Sequence, residues 1–338
     1  MVIELTDGLA RCPQEKIEGM AESIENLLIG YYEGNLILLI SRPLCAYIRA
    51  KNLIKSERAI KALRHIETGG GYMPAVLWRL QVVLDQANPQ KHEVDFSFFS
   101  RMVTVQPIAF LCENLEDIKF YMKLVRLYYP ITPIKAMKYH GGGDTTVDVF
   151  SYLKKMRVIC LVIVDSDVKY TGCKIGDTAR KCMAKNKKPT GYIEVKMLDV
   201  HEAENLVPIS FMKNKATKGG KALLKRLTEN GLLKELMMFD VKSGVQKCDV
   251  ENDGKYYQYC EKLYNNLYRP RKNTFNVFLM QKQKPTDFIF SQVKDNLLEL
   301  FIQDDAKGYT NDIITPYREA IAGLVHTFVC CRGNDPLN

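Results

Sequence analysis

Hydrophobic positions along this chain change period several times, and each change predicts an element. Ile17, Met20, Ile24, Leu27 and Leu28 recur at helical spacing, and 35–40 is an apolar run of strand length. Residues 59–66 predict a short helix stopped by Gly69-Gly70-Gly71, and 73–84 a buried helix with Pro74 in its first turn and Trp78 in its core. The middle of the chain alternates more regularly. VQPIAFLCENLEDIKFYMKLV gives a strand ending at Cys112, then a helix over 114–127 in which Leu115, Ile118, Tyr121, Met122 and Val125 share one face. A second strand, 132–139, runs into Gly141-Gly142-Gly143, and 145–155 reads as the next helix. MRVICLVIVDSDV and YIEVKML supply two more strands, separated by the long polar stretch 168–189. From Leu223 onward the pattern is helical, ending in two amphipathic helices over 287–301 and 316–329.

Strands alternating with helices predict an α/β core with a mainly parallel sheet flanked by helices. This core spans 105–212, after an N-terminal mixed α/β segment, 1–104, and before a mainly helical C-terminal region, 213–338. No linker rich in Pro, Gly or Ser divides the chain, and no internal repeat is visible in the sequence.

Carboxylates stand where the core strands end. Glu113 follows the first, Asp165 and Asp167 the third, and the cluster DVHEAENLVP the fourth. In an open parallel sheet the carboxyl ends of the strands lie along one edge, where such folds place their sites. Carboxylates gathered there suit a hard divalent cation.

On these residues the chain resembles a TOPRIM domain, the metal-binding module of topoisomerases, bacterial primases and OLD-type nucleases. It is similar in particular to the TOPRIM nucleases of bacterial anti-phage systems, such as OLD-family proteins and the effector of the PARIS system. The shared order is a Glu with an Asp a few residues on (Glu113, Asp117), a Gly-Gly turn (Gly142, Gly143), the Asp-x-Asp pair (Asp165, Asp167) and a late Glu-Asn (Glu204-Asn205). The resemblance covers roughly the middle third of the chain. Family members often carry Gly after the first Glu; here Asn114 stands there, a residue that tolerates the left-handed conformation.

The resemblance implies Mg²⁺-dependent phosphodiester hydrolysis of DNA or RNA, tRNA included, with Mn²⁺ as a substitute ion, in an anti-phage effector restrained by an ATPase or other sensor subunit. Glu113, Asp165, Asp167 and Glu204 are then the catalytic acids and metal ligands, with Asp117 either a further ligand or only a helix-start carboxylate, and Glu202 an alternative to Glu204. Asp165 and Asp167, two residues apart on extended backbone, would face one ion. Glu113 would hold a second or accept a proton from the attacking water. Three other readings use the same residues. An Asp-x-Asp pair also holds the diphosphate in metal-dependent glycosyltransferases and nucleotidyltransferases. Haloacid dehalogenase-type phosphatases use its first Asp as nucleophile, although there the pair normally follows the first core strand, whereas here two strand-helix units precede it. In a non-catalytic nucleic-acid-binding subunit the acids would be structural.

Charge adds a partner. Forty-eight Lys and Arg against 39 Asp and Glu leave a net charge of +9, which favours polyanions. The excess is clustered: Lys185, Lys187 and Lys188 end one basic run, and Lys213 and Lys215 open a second, 213–226, which has no acid before its end. Together with Gly142 and Gly143 these lysines are the residues expected to bind nucleic acid. Tyr256, Tyr257, Tyr259, Tyr264 and Tyr268, interleaved with Arg269, Arg271 and Lys272, offer stacking surfaces beside cations, though their helical spacing equally suits packing. The ten cysteines have no C-x-x-C pair and read as reduced, mostly buried thiols. No apolar run approaches the roughly 20 residues of a membrane span, so a cytoplasmic protein, with homo-oligomers allowed, is the expectation.

Overall fold

The apolar run that opens the chain is buried almost throughout, as strands of a parallel sheet covered on both faces are. In the computed structural model, which describes all residues except 70–75, 144, 269–273, 283, 306–308, 334–336, 338 and the side chain of Thr274, that run is β1 (Val2–Leu5). It is followed by α1 (Ile17–Tyr32), β2 (Ile37–Ile40), α2 (Arg42–Ala50), α3 (Glu57–Glu67), β3 (Leu80–Val83) and β4 (Glu93–Asp95). The four strands are parallel, in the order β2-β1-β3-β4. Serines start the connecting helices: Ser41 Oγ accepts from Leu44 N at 3.2 Å and Ser56 Oγ from Ala59 N at 3.3 Å, each satisfying one orphan amide.

A second sheet carries the predicted core. Its elements are β5 (Ala109–Cys112), α4 (Leu115–Tyr128), β6 (Met137–His140), α5 (Thr146–Met156), β7 (Cys160–Val164), α6 (Asp177–Lys185) and β8 (Ile193–Met197). The order is β6-β5-β7-β8. β5 runs parallel to both neighbours, with Leu111 opposite Tyr139 on one side and Val162 on the other. Every residue of β5 and β7 is buried, which is why these runs read as continuously apolar rather than alternating. Numbered from its own first strand, each sheet has the order 2-1-3-4, a topological repeat that the sequence does not display.

The remainder is mainly helical: α7 (Ile209–Lys215), α8 (Lys218–Glu229), α9 (Lys247–Glu251), α10 (Gly254–Tyr268), α11 (Thr274–Met280), α12 (Leu297–Gln303) and α13 (Thr315–Val329). One short antiparallel pair, β9 (Val245–Gln246) with β10 (Phe288–Phe290), interrupts it. The chain packs as two compact units built from non-contiguous pieces. The first is Met1–Ile163, Lys181–Lys196 and Ala320–Asn338; the second is Val164–Arg180 and Met197–Glu319. These cut across the sequence boundaries at 104 and 212.

Three predicted elements differ. The 73–84 stretch is not a helix: 73–75 lie outside the described residues and 80–83 are β3, where Leu80 and Val82 are buried and Gln81 and Val83 half-buried. That period of two was hidden in an apolar run, and pairing with β1 and β4 selected it. Trp78 is half-buried, stacked on His92 at 3.8 Å and edge-on to Phe328 at 4.8 Å. The 287–301 helix splits into β10 and α12 because Phe288 and Phe290 are claimed by β9. Of 132–139, only the last part is strand, and Ile134 makes a lone bridge to Cys330. Eight of the ten cysteines are buried, with Cys173 and Cys248 half-buried. No helix among the described residues is long and apolar enough to cross a membrane.

Candidate functional site

In the first unit β5 pairs in parallel with β7, and the chain leaves β5 into Glu113; Asp165, the residue after β7, belongs to the second unit. Between these strands the connections diverge, to β6 on one side and β8 on the other; a sheet opens a crevice at such a point. The backbone around Glu113 is held by the glycine turn. Gly142 N donates to Glu113 O at 2.9 Å and Gly141 N to Cys112 O at 3.3 Å. Gly141 admits no side chain, since a Cβ would lie 2.1 Å from the Thr146 Cα. Gly142 and Gly143 have φ of +63° and +78°, and a Cβ on either would meet nothing within 4 Å. The turn therefore presents open backbone beside the end of β5.

Two residues near Glu113 take forms the sequence did not specify. Asn114 has φ −126°, extended backbone open to any residue, so the glycine common in the resembled family is not required here. Asp117 is buried, and its Oδ2 accepts from Asn114 N at 2.9 Å at the head of α4. One of its oxygens is thus committed to capping. Facing this strand end is α6: burial, and after it the charge of Glu113, push the Cys182 thiol up to about 11. One turn further on, Lys185 donates from Nζ to Ser151 Oγ, while Lys154 Nζ donates to the Lys185 carbonyl at 2.6 Å. Lys185, Lys187 and Lys188 are exposed.

In the second unit, the Asp-x-Asp segment is folded against the turn 200–205. Asp165 Oδ1 accepts from Ala203 N at 3.1 Å, Ser166 Oγ donates to Val200 O at 2.6 Å and Asp167 N donates to His201 O at 3.0 Å. Asp167 has φ +55°, the left-handed region that Asp enters more readily than most residues. The expected extended run that would put Asp165 and Asp167 on one face is therefore broken at Asp167. Gly176 packs so closely on it that a Cβ would fall 2.0 Å from Asp167 Oδ2.

Glu204 and Glu202 share a cation that sequence reasoning missed. Lys242 Nζ lies 2.8 Å from Glu204 Oε1 and 3.4 Å from Glu202 Oε2. Burial, then the charge of Glu204, raise the Glu202 carboxyl to about 8, with Lys242 opposing. Burial alone would lower the Lys242 ammonium; Glu204 and Glu202 reverse that and hold it above the usual lysine range. Beside them are two further residues the sequence did not single out. His201 Nε2 is 4.0 Å from Asp240 Oδ2, and burial holds the imidazole below its ordinary value despite Asp240 and Asp167. Asn205, fully buried, donates from Nδ2 to Leu236 O and to Phe239 O at 2.7 Å, which fixes the turn to the segment carrying Asp240 and Lys242. The only advance signal was a His inside an acidic cluster; nothing in the spacing pointed to 240 or 242.

The donor set at the predicted positions is all carboxylate oxygen, the chemistry of Mg²⁺. Glu204 already has a charge partner in Lys242, so an ion there would have to displace an ammonium. Lys213 and Lys215 are exposed on α7, with Lys215 Nζ 5.7 Å from the Phe211 ring centroid. Among the tyrosines, Tyr256 and Tyr264 are buried in α10, and Tyr256 stacks with Tyr170 at 5.6 Å and with Tyr259 at 6.2 Å. Packing claims these rings; Arg269, Arg271 and Lys272 lie outside the described residues. The chain matches no protein-family model, no curated protein and no solved structure. Fold and site define an α/β protein with parallel sheets flanked by helices and acids following the strand ends.

Proposed function

We propose that this chain is a metal-dependent phosphodiesterase of TOPRIM type acting on DNA or RNA, in the manner of the anti-phage nucleases its motifs resemble. The observation that carries the reading is the pair of adjacent parallel strands, β5 and β7, each followed at once by an acid, with a glycine turn bonded to the backbone of the first. Glu113, Asp165, Asp167 and Glu204 would hold Mg²⁺ or Mn²⁺, whose charge activates water and stabilises the phosphorane. The chain's own groups do the rest. Open glycine backbone at 142 and 143 lets a phosphate approach, and the exposed lysines of α6 and α7 neutralise its neighbours. A partner such as an ATPase sensor would govern when it cuts.

The test is cleavage of plasmid DNA and total tRNA with and without Mg²⁺ or Mn²⁺, by the wild-type chain and by Glu113→Ala and Asp165→Asn. The expected result is metal-dependent cleavage that both variants lose while retaining binding. Removing a carboxylate that faces a polyanion relieves repulsion, so metal-free binding is expected to hold or tighten. Lys242, by pairing Glu202 and Glu204, favours one alternative, a nucleic-acid-binding subunit with structural acids. That alternative wins if the wild type cuts nothing, alone or with its sensor partner, and the variants only melt earlier.

A further inference from the structure

His201, Glu202 and Asp240 place one nitrogen and two carboxylate oxygens within 4.8 Å of one another. The two leading side chains are 6% and 10% exposed, yet His201 Nδ1 and Glu202 Oε1 have no hydrogen-bond partner. His201 turns Nε2 toward Asp240, and a buried carboxylate oxygen left unpaired is costly, so Glu202 Oε1 beside that nitrogen asks for an occupant. Lys242 does not fill that need: it engages Glu202 through Oε2 and turns to Glu204, leaving Oε1 pointing elsewhere. The backbone is already anchored around the cluster, with His201 N donating to Met237 O at 2.7 Å.

We infer that His201, Glu202 and Asp240 bind one divalent transition-metal ion, distinct from the Mg²⁺ proposed at the strand ends. An imidazole with two carboxylates selects borderline cations such as Zn²⁺ or Mn²⁺ over Mg²⁺ and Ca²⁺, which favour oxygen alone. Ligand atoms about 2.1 Å from a tetrahedral ion stand about 3.4 Å apart, so small rotations of the three side chains complete the shell. The ion would staple the turn 200–205, which holds Asp165 and Asp167 by backbone bonds, to the segment carrying Asp240. This inference rests on its own observations, independent of any phosphodiesterase activity.

The experiment titrates the chelator-treated full chain with Zn²⁺ by calorimetry in excess Mg²⁺. One saturable site is expected in the wild type and in Glu113→Ala. Asp240→Asn and His201→Ala are expected to weaken it at least tenfold. X-ray absorption at the zinc edge on the wild type is expected to show one imidazole among oxygen ligands. No saturable Zn²⁺ binding, binding unchanged in both variants, or a spectrum without imidazole each overturns the assignment. Should His201→Ala not fold, Asp240→Asn and the wild-type spectrum decide.

Discussion

Replacing Glu202 by Gln should leave stability unchanged in mild acid and increase it in alkali. Glu202 is 8% exposed, its Oε1 has no partner, and Glu204 holds the closer claim on Lys242. Burial and the Glu204 charge therefore raise its carboxyl from 4.5 to about 8 in the folded chain. The folded state then holds a proton that the unfolded state has released, everywhere between those two values. Stability contributed by the protonated form is complete below the unfolded value, declines as pH rises through the window, and is gone above the folded value. At about 1.4 kcal/mol for each pH step, the full penalty is on the order of 5 kcal/mol.

Glutamine keeps the size and the polar end but cannot ionise, so the variant escapes the penalty. Urea unfolding in chelating buffer from about pH 5 to about pH 9 measures it. The stability difference between variant and wild type should be near zero at the acid end and grow to several kcal/mol at the alkaline end. A difference that stays constant with pH, or a wild type that gains on the variant in alkali, refutes the reasoning.

Two further outcomes follow from the geometry. Changing Lys185, Lys187 and Lys188 to Ala should weaken nucleic-acid binding and flatten its salt dependence, by about 0.7–0.9 in the log–log slope for each phosphate that is no longer neutralised; an unchanged slope in a binding titration would make this run solvated surface. Gly176→Ala should cost about 1–3 kcal/mol in denaturant unfolding and displace the Asp167 side chain, because the new methyl would sit 2.0 Å from its Oδ2; a variant as stable and as active as wild type would show that Asp167 is free to move.

Much of the second sheet was legible because burial on both faces leaves an uninterrupted apolar run, as in β5 and β7, and because an acid directly after such a run marks a strand end. β3 was not, since four residues of period two embedded in a longer apolar stretch look helical until their partners are known. The left-handed turn at Asp167 was equally hidden. Asp-Ser-Asp reads as extended, and the bonds that bend it come from His201 and Gly176, far along the chain. Lys242 was out of reach for a different reason. It follows a 3-10 stretch without periodicity, and its meaning lies in two glutamates that the turn at 200–205 brings to it.

The repeated 2-1-3-4 order supplies an internal comparison, because the same strand arrangement occurs twice with different residues after the strands. Beyond the end of β1 stands Asp7, which accepts from Ser41 Oγ, the cap of α2; beyond β3 stands Asp85, ion-paired with Lys16 on the surface. Those acids secure helix starts and loops, and no glycine turn bonds to the backbone beside them among the described residues. The second sheet differs on one count that topology does not dictate. The residue directly after each of its two adjacent central strands is itself the acid, and Gly141 and Gly142 amides hold the first of those strand ends while keeping the space above Gly142 and Gly143 open. Since a fold alone carries no activity, the proposed chemistry rests on this local difference at the β5–β7 edge and not on the parallel sheet. The Glu113→Ala and Asp165→Asn variants test that edge directly, and an Asp7→Asn chain, altered at the matching end of the first sheet, is the control that should cut like wild type.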